Sequence, residues 1–253
     1  PVPLGSGHPS IVPYGEVWEC AGGEPLVLAV GTVEDHRRVR LDYWNADGGA
    51  AKFCANGTRC AARAAVELLD CAPSLTVVTD WAEIFACVDG ARVSLELPPP
   101  EGPAARFDVA ADSGAAEAWL VHLGVPHLVV EAEGPLSSLD LASVAPPLRR
   151  HLSLGPDGAN VNFFELTTAG EVAVRSWERG VEGETQSCGS GMVSVALVVM
   201  ERQASREVLV VPASGDRLAV SARGRPPSCG TVLTGPTRFV AEVVPSPDLL
   251  SGM

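Results

Sequence analysis

The sequence predicts an α+β protein of two similar lobes with a cleft between them. Short runs of β-branched residues, bounded by Gly, Pro or Asp, recur along the chain and are typical of strands. In each half, several such runs precede a turn that holds a cysteine, and this turn leads into a helical segment. The repeated order favours a pseudo-repeat, and ligand sites commonly lie between two such lobes. The 253 residues, 46% of them hydrophobic, are enough for a large buried core.

The first half carries one helix, predicted over Thr58–Leu69, where Ala, Arg, Leu and Glu are frequent. Pro98–Pro100 ends the strand pattern, and the Ala- and Gly-rich stretch to Ala116 is typical of a connection between domains. We therefore expect an N-terminal lobe over residues 1–112 and a C-terminal lobe over residues 113–253, with a return of the C-terminal tail to the first lobe left open. The strands of the first half are predicted at Leu26–Val33, Val39–Asn45, Leu75–Thr79, Ile84–Val88 and Val93–Leu97.

The second half repeats this plan. Its principal helix is predicted from Gly191 to about Glu201. Strands are predicted before and after it, at Trp119–Leu123, His127–Val130, Val161–Leu166, Val172–Trp177, Val208–Val211, Leu218–Val220, Thr231–Leu233 and Phe239–Val243.

The net charge of −13 argues against a nucleic acid or an anionic membrane as partner, because both are bound through clustered Lys and Arg. The most apolar stretch, Val195–Met200, is far shorter than the roughly 18 to 20 residues of a membrane span. No signal-peptide pattern is visible at the N-terminus. We therefore expect a cytoplasmic protein that acts on a small molecule, and the sequence leaves a homodimer open.

The chain contains a single lysine, Lys52. A pyridoxal-phosphate enzyme needs a lysine for its Schiff base, and only Lys52 could supply it. The sequence has no G-x-x-x-x-G-K-[ST] phosphate loop, no G-x-S-x-G nucleophile elbow and no G-x-G-x-x-G dinucleotide fingerprint. The five histidines show no metal-ligand spacing. The sequence therefore predicts neither a cofactor nor a metal site.

The seven cysteines are an odd number, which favours a reducing compartment over a disulfide framework. We expect most of them to be free thiols and Cys60 to be a packed helix position. A zinc site built from Cys54 and Cys60 is disfavoured, because no matching His or Cys pair follows them. Four others are predicted to be ordinary small apolar residues: Cys20, Cys71, Cys87 and Cys229.

Cys54 and Cys188 differ from the rest because each lies where a predicted helix begins. The first N–H groups of a helix have no intrahelical partner, and the helix dipole adds partial positive charge there. Such a position stabilises a thiolate or a bound carboxylate and is expected to lower the thiol pKa. Two cysteines at matching points of two half-chains therefore predict an acid and a base that work as a pair.

Two sequence blocks around these cysteines resemble the diaminopimelate epimerases. Residues 45–49 read N-A-D-G-G and residues 54–60 read C-A-N-G-T-R-C, similar to N-A-D-G-S and C-G-N-G-A-R-C in the family. Residues 178–191 read E-R-G-V-E-G-E-T-Q-S-C-G-S-G, similar to the family's E-R-G-x-G-E-T-x-A-C-G-[TS]-G. Residues 158–163 (G-A-N-V-N-F) and 233–236 (L-T-G-P) add to the resemblance.

The resemblance implies a cofactor-independent epimerase of two pseudo-symmetric lobes, each a mixed β-sheet wrapped around a central helix. Cys54 and Cys188 would face opposite sides of a substrate α-carbon, one as thiolate base and the other as thiol acid. Backbone N–H groups would stabilise the charge that develops on the substrate carboxylate; these belong to Ala55, Asn56, Gly189 and Ser190. The distal groups of the substrate would be held by Asn45, Asn160, Glu178 and Arg179.

The chain departs from the family pattern at two expected substrate contacts. His8 and Val125 stand where the family reads Asn, in G-L-G-N-D and G-N-P-H. We therefore expect an α-amino acid with a polar side chain, other than diaminopimelate, as the substrate. Two alternatives stay open: a genuine LL-diaminopimelate epimerase, and a catalytically silent protein that binds an amino acid. The proline-racemase or phenazine-isomerase branch of the same architecture is less favoured, because the Asn45 block and the Glu178–Gly180 string match the epimerases.

Overall fold

The computed structural model describes residues 17–20, 26–27, 29–44, 50–109 and 115–241. These ranges hold helices α1 (Ala55–Leu68), α2 (Leu141–Arg149) and α3 (Gly189–Gln203), and short 3₁₀ turns at Leu136–Ser138 and Leu152–Leu154. The strands are β1 (Val17–Cys20), β2 (Leu26–Val27), β3 (Ala29–Asp35), β4 (Arg38–Trp44), β5 (Ala50–Ala51), β6 (Ser74–Val78), β7 (Glu83–Asp89), β8 (Arg92–Leu97), β9 (Ala105–Arg106), β10 (Ala115–Leu123), β11 (Val125–Ala132), β12 (Asn160–Leu166), β13 (Val172–Glu178), β14 (Gly183–Thr185), β15 (Glu207–Val211), β16 (Leu218–Ala222) and β17 (Thr231–Ala241).

The predicted pseudo-repeat is visible in the strand pairing. In the first half, β3 and β4 are antiparallel, the short strand β5 folds back onto β4, helix α1 follows, and β6 returns parallel to β4. In the second half, β12 and β13 are antiparallel, β14 folds back onto β13, helix α3 follows, and β15 returns parallel to β13. Each unit then ends in an antiparallel meander, β6–β7–β8 and β15–β16–β17.

Strand β17 connects the two units. It pairs antiparallel with β16 of its own half, with β8 of the first half through Thr231–Pro236, and with β1 further along. The strands of both halves thereby form one mixed sheet of seventeen strands in the described part of the chain. The expected α+β class with mixed sheets is confirmed.

Helices α1 and α3 share one hydrophobic core, enclosed by strands of both halves. Ala61 and Ala65 of α1 lie in the same buried cluster as Val195 and Leu197 of α3. Both helices begin earlier than predicted, at Ala55 and Gly189, because the small residues after each cysteine already adopt helical geometry. None of the helices in the described ranges is long and apolar enough to cross a membrane.

Helix α2 is the element that the sequence prediction missed. It contains Pro146 and Pro147, which usually end a helix because each removes a backbone N–H donor. Its buried face, formed by Leu141, Ala145 and Leu148, packs into a second hydrophobic core beneath β10–β12. Burial of this face therefore stabilises a short helix that the local sequence disfavours.

The cysteines largely follow the prediction. Cys71 and Cys229 are buried free thiols, whereas Cys87 is a free thiol on an exposed position of β7. Cys60 is fully buried in α1, as expected, but it is engaged in a disulfide, so the expectation of a simple packed thiol is wrong there. The side chain of Cys20 lies outside the described part.

Candidate active site

Cys54 and Cys188 are the N-cap residues of α1 and α3. Both have extended backbone angles, with φ −140° and ψ 112° at Cys54 and φ −103° and ψ 102° at Cys188. The Cys54 thiol is half-buried and accepts a hydrogen bond from the backbone N–H of Gly57 at 3.4 Å. The Cys188 thiol is 5% exposed and lies 3.9 Å from the Ser190 hydroxyl. The sequence thus predicted correctly that each thiol stands at the positive end of a helix.

The two helix N-termini touch each other. A Cβ atom at Gly189 would lie 2.6 Å from the Cβ of Ala55, so only glycine allows this approach. The Asn56 amide nitrogen donates to the carbonyl of Ser187 at 3.0 Å and ties the two cysteine turns together. The four residues whose backbone N–H groups were predicted to bind a carboxylate therefore form one junction: Ala55, Asn56, Gly189 and Ser190.

Burial and a neighbouring carboxylate raise the pKa of both thiols. Desolvation is the main cause at Cys54, and Glu178 adds to it, while hydrogen bonds from Gly57, Tyr43 and Asn56 act in the opposite direction. The pKa of Cys188 is raised well above its ordinary value, first by burial and then by Glu178. The expectation of lowered thiol pKa values is therefore wrong. Desolvation outweighs the helix termini here.

A buried polar network lies beneath Cys188. The amide nitrogen of Asn162 donates to Nδ1 of His127 at 3.2 Å, and the Ser176 hydroxyl donates to the Asn162 carbonyl oxygen at 2.9 Å. Burial, aided by Arg179, lowers the pKa of His127 to about 3, so its imidazole is neutral. A Cβ at Gly191 would lie 2.1 Å from Oδ1 of Asn162 and 3.2 Å from the Cys188 sulfur, which places this network directly under the thiol.

The predicted polar contacts gather at the end of β13. Glu178 accepts a hydrogen bond from the Thr185 hydroxyl at 2.5 Å, and Asn160 accepts one from the backbone N–H of Arg179 at 2.8 Å. The Arg179 guanidinium has no hydrogen-bond or ion-pair partner among the described residues and is partly exposed. An unpaired guanidinium beside an acidic and an amide side chain is suited to hold a ligand carboxylate.

Val125 is the first residue of β11 and is partly buried. It follows Gly124, where a Cβ would approach the ring of Trp81 to 3.1 Å, and Trp81 packs against Phe53 with ring centroids 4.7 Å apart. Phe53 immediately precedes Cys54, so aromatic contacts connect the β10–β11 turn with the segment that carries the first thiol. Asn45 and His8 lie outside the described residues, and their predicted contacts stay predictions.

The family assignment comes from comparison with known proteins. The family model described as diaminopimelate epimerase matches residues 119–240. A diaminopimelate epimerase from Hydrogenobaculum sp. is 36% identical over 226 residues, an alignment that covers 87% of this chain and 80% of the relative. The chain belongs to the diaminopimelate epimerase family. It is therefore an isomerase of the amino-acid epimerase and racemase class, as the sequence analysis predicted.

Solved structures agree on the fold of this epimerase. A probable proline racemase from Agrobacterium radiobacter is similar with a TM-score of 0.67 and 16% identity, over 87% of this chain and 75% of that chain. A phenazine biosynthesis protein of the PhzF family from Enterococcus faecalis has a TM-score of 0.68 and 12% identity, over 90% of this chain and 96% of that chain. At these identities the likeness concerns the fold alone.

Three residues of the epimerase site were missed by the sequence analysis. Asn162 and Ser176 were not singled out; both are buried, and only Ser176 lies on a strand whose burial alternates. Arg59, which lies completely buried near Cys54, was treated only as part of a motif. Within the described ranges, no group of three or more His, Cys, Asp or Glu side chains is arranged to hold a metal ion.

Proposed function

We propose that this epimerase inverts the α-carbon of an amino acid through Cys54 and Cys188, which act on opposite faces of the substrate. The observation that supports it most is the junction of α1 and α3. Two helices from equivalent places in the two halves meet at their N-termini, and each is capped by a thiol. Inversion needs one proton-accepting and one proton-donating group, and the pseudo-repeat supplies one from each half.

The substrate α-carboxylate binds at this junction in our proposal. The N-termini of α1 and α3 meet at Ala55 and Gly189, and the dipoles of both helices favour an anion there. When the α-proton leaves, the C–H electron pair is delocalised into the carboxylate, and the same N–H groups stabilise the added charge. Burial raises the pKa of both thiols, so the one thiolate that the reaction needs depends on neighbouring groups for its stabilisation.

The proton transfers balance within the pair. One sulfur, as thiolate, takes the α-proton and becomes a thiol, and the opposite thiol gives its proton to the other face of the carbanion and becomes a thiolate. The product is the mirror configuration, and the enzyme is left with its two protonation states exchanged. Because the pair carries one negative charge throughout, its titration belongs to both thiols together.

The rest of the substrate would be held at the end of β13. We assign the partnerless guanidinium of Arg179 to a carboxylate, and Glu178 with Asn160 to amino or hydroxyl groups. Val125 offers an apolar side chain where the family pattern has an amide. We therefore propose an α-amino acid with a polar side chain, other than diaminopimelate, as the preferred substrate. Asn45 and His8 are proposed to complete the contacts.

Diaminopimelate itself is the second candidate substrate, because the relatives matched by the chain are named diaminopimelate epimerases. The test is a panel of amino acids, with LL-diaminopimelate included, that compares kcat/KM and solvent hydrogen exchange at the α-carbon. A Val125→Asn variant restores the amide and is expected to raise kcat/KM for diaminopimelate relative to the other amino acids. Diaminopimelate turnover far above every other amino acid in the wild type would contradict our substrate proposal.

A silent binding protein is the alternative outside catalysis. It would bind an amino acid without α-hydrogen exchange, so the same panel distinguishes it from the epimerase. We also propose a cytoplasmic location and leave the homodimer as the assembly to test by sedimentation of the purified protein.

A further inference from the structure

Arg59 is the largest fully buried side chain in the described part of the molecule. A buried guanidinium is costly unless charge and hydrogen bonds compensate it. Its Nη2 donates to Oδ1 of Asn56 at 2.9 Å, while Nε and Nη1 are buried without a hydrogen-bond partner among the described residues. No carboxylate of the described ranges forms an ion pair with it. The side chain is therefore a buried cation that is incompletely compensated.

The hydrogen bond of Arg59 determines how Asn56 is oriented. An amide oxygen accepts and an amide nitrogen donates, so the bond to Oδ1 turns Nδ2 toward the Ser187 carbonyl, which it contacts at 3.0 Å. Asn56 is the side chain that ties the turn of Cys54 to the turn of Cys188. Arg59 consequently fixes the link between the two helix N-termini.

The charge of Arg59 has one anion left to balance it. Burial lowers the pKa of Arg59 to about 10, and the anionic forms of Cys54 and Asp216 favour its charged form. Asp216 already pairs with Arg238 at 3.1 Å. Asn56 links the two groups, because its side chain accepts from Arg59 while its backbone N–H bonds the Cys54 sulfur, so the Arg59 cation lies on the turn of that thiol and favours its thiolate. Among the other titratable groups, Glu178 opposes the Cys54 thiolate and Tyr43 supports it. Cys54 in turn raises the pKa of Cys188.

A glycine on β17, Gly235, leaves space for the Arg59 side chain. A Cβ atom at Gly235 would lie 3.2 Å from Nε of Arg59 and 2.4 Å from Cδ2 of Leu218. Gly235 belongs to the L-T-G-P segment of the family resemblance, to which the sequence analysis assigned no role. In the structure it packs against the Arg59 guanidinium.

We propose that Arg59 is a positioning residue for the thiol pair: it orients the Asn56 bridge between the two helix N-termini, and its buried charge stabilises the thiolate of Cys54. This inference rests on the proposed two-thiol function. It adds that the first half of the molecule, and not the second, supplies the thiolate of the resting enzyme.

The test compares Arg59→Met, Arg59→Lys and the control Arg63→Met. Methionine removes the charge without leaving buried donors, and such apolar replacements are often tolerated. Arg63 lies one turn further along α1, where it binds Glu67 and the Thr237 carbonyl at 2.7 Å each. The readout is the pH dependence of Cys54 alkylation by iodoacetamide, located by mass spectrometry, with the exposed Cys87 thiol as internal reference.

We expect Arg59→Met to move the alkylation midpoint of Cys54 upward by about one pH unit. Its kcat/KM at neutral pH should fall about tenfold as the thiolate fraction drops. Arg59→Lys should keep the midpoint within a few tenths of a unit but lose kcat/KM, because lysine has no planar fork to orient Asn56. In Arg63→Met the alkylation midpoint of Cys54 should stay at the wild-type value, and the midpoint of Cys87 should be the same in every variant.

If Arg59→Met folds and Cys54 is alkylated with the wild-type pH midpoint, the charge of Arg59 does not stabilise the thiolate. If Arg59→Lys has the wild-type kcat/KM, Arg59 does not orient Asn56. If Arg59→Met does not fold, the lysine variant decides on both readouts, and a Cys54 midpoint raised by a full unit there overturns the charge role. Alkylation requires no turnover. If Arg59→Met shifts the alkylation midpoint of Cys54 but the wild type exchanges the α-hydrogen of no amino acid, the inference about Arg59 holds and the proposed function is wrong.

Discussion

Helices α1 and α3 occupy equivalent places in the two halves, but their surroundings differ in polarity. The first turn of α1 contains Asn56, and Arg59 follows within the next turn, fully buried. After Ser190, the buried positions of α3 are almost entirely apolar, and its charged residues lie in the last turn. The same cysteine-capped unit therefore lies once beside a buried cation and once above the uncharged network of Asn162, Ser176 and His127.

This difference bears on how the thiols ionise. Cys54 is half-buried and accepts a hydrogen bond from Gly57, whereas Cys188 is only 5% exposed. The pKa of Cys188 is accordingly raised further than that of Cys54. Duplicated scaffolds can thus supply two identical functional groups while their neighbours separate the acid from the base.

Loss of either thiol should have the largest effect. Cys54→Ala and Cys188→Ala are each expected to lower racemisation by at least about 10²-fold, because each removes the proton-transfer group on one face. Serine at either position should be almost as impaired, since a hydroxyl is too weak an acid to supply the base. The matched control is Cys229→Ala, a buried free thiol outside the site. Near-normal racemisation by either alanine variant would disprove the two-base assignment.

Separation of the two helix N-termini should have the next largest effect. A Gly189→Ala substitution places a Cβ 2.6 Å from the Cβ of Ala55, so the junction must open. We expect kcat/KM to fall roughly 10- to 100-fold, since small displacements of catalytic groups are costly. Gly134→Ala, where a Cβ would meet nothing within 4 Å, is the control. Equal kinetics in the two variants would show that contact between the halves is irrelevant.

The rate should also depend on pH in a definite direction. Because burial raises the pKa of both thiols, the thiolate fraction of the free enzyme increases with pH through the neutral range. We expect kcat/KM to rise by up to about tenfold per pH unit until one thiol of the pair is fully ionised. The raised pKa also stabilises the folded state at low pH, and this contribution is lost as the pH rises through the folded-state pKa. A flat profile of kcat/KM would contradict the account.

The smallest expected effect concerns stability on the Cys188 side. Burial lowers the pKa of His127 from 6.5 to about 3, so its contribution to stability is complete above 6.5 and is lost as the pH falls toward the folded-state value. Between these two values, His127 should lower the free energy of unfolding by about 1.4 kcal/mol for each pH unit of acidification. In a His127→Gln variant, the free energy of unfolding should depend less steeply on pH in this range. The exposed His36→Gln control should retain the wild-type dependence.

The sequence was most informative where local chemistry decides the structure. The two cysteine turns, the helices after them and the family followed from residues 54–60 and 178–191, since N-cap and glycine positions have local physical requirements. Helix α2 was missed because burial outweighs its two prolines. The raised thiol pKa values and the buried Arg59 depend on neighbours distant along the chain, such as Glu178 and Gly235, and no local pattern reports them.

The most direct test of the central claim follows hydrogen at the α-carbon in deuterated water. The preferred amino acid is incubated with enzyme, and substrate and product are separated at low conversion. A pair of thiols on opposite faces predicts one deuterium in nearly every product molecule and little in the recovered substrate, because the donating thiol has already exchanged with solvent. Product that retains its original α-hydrogen would show that a single group moves the proton between faces, and would contradict the two-thiol account.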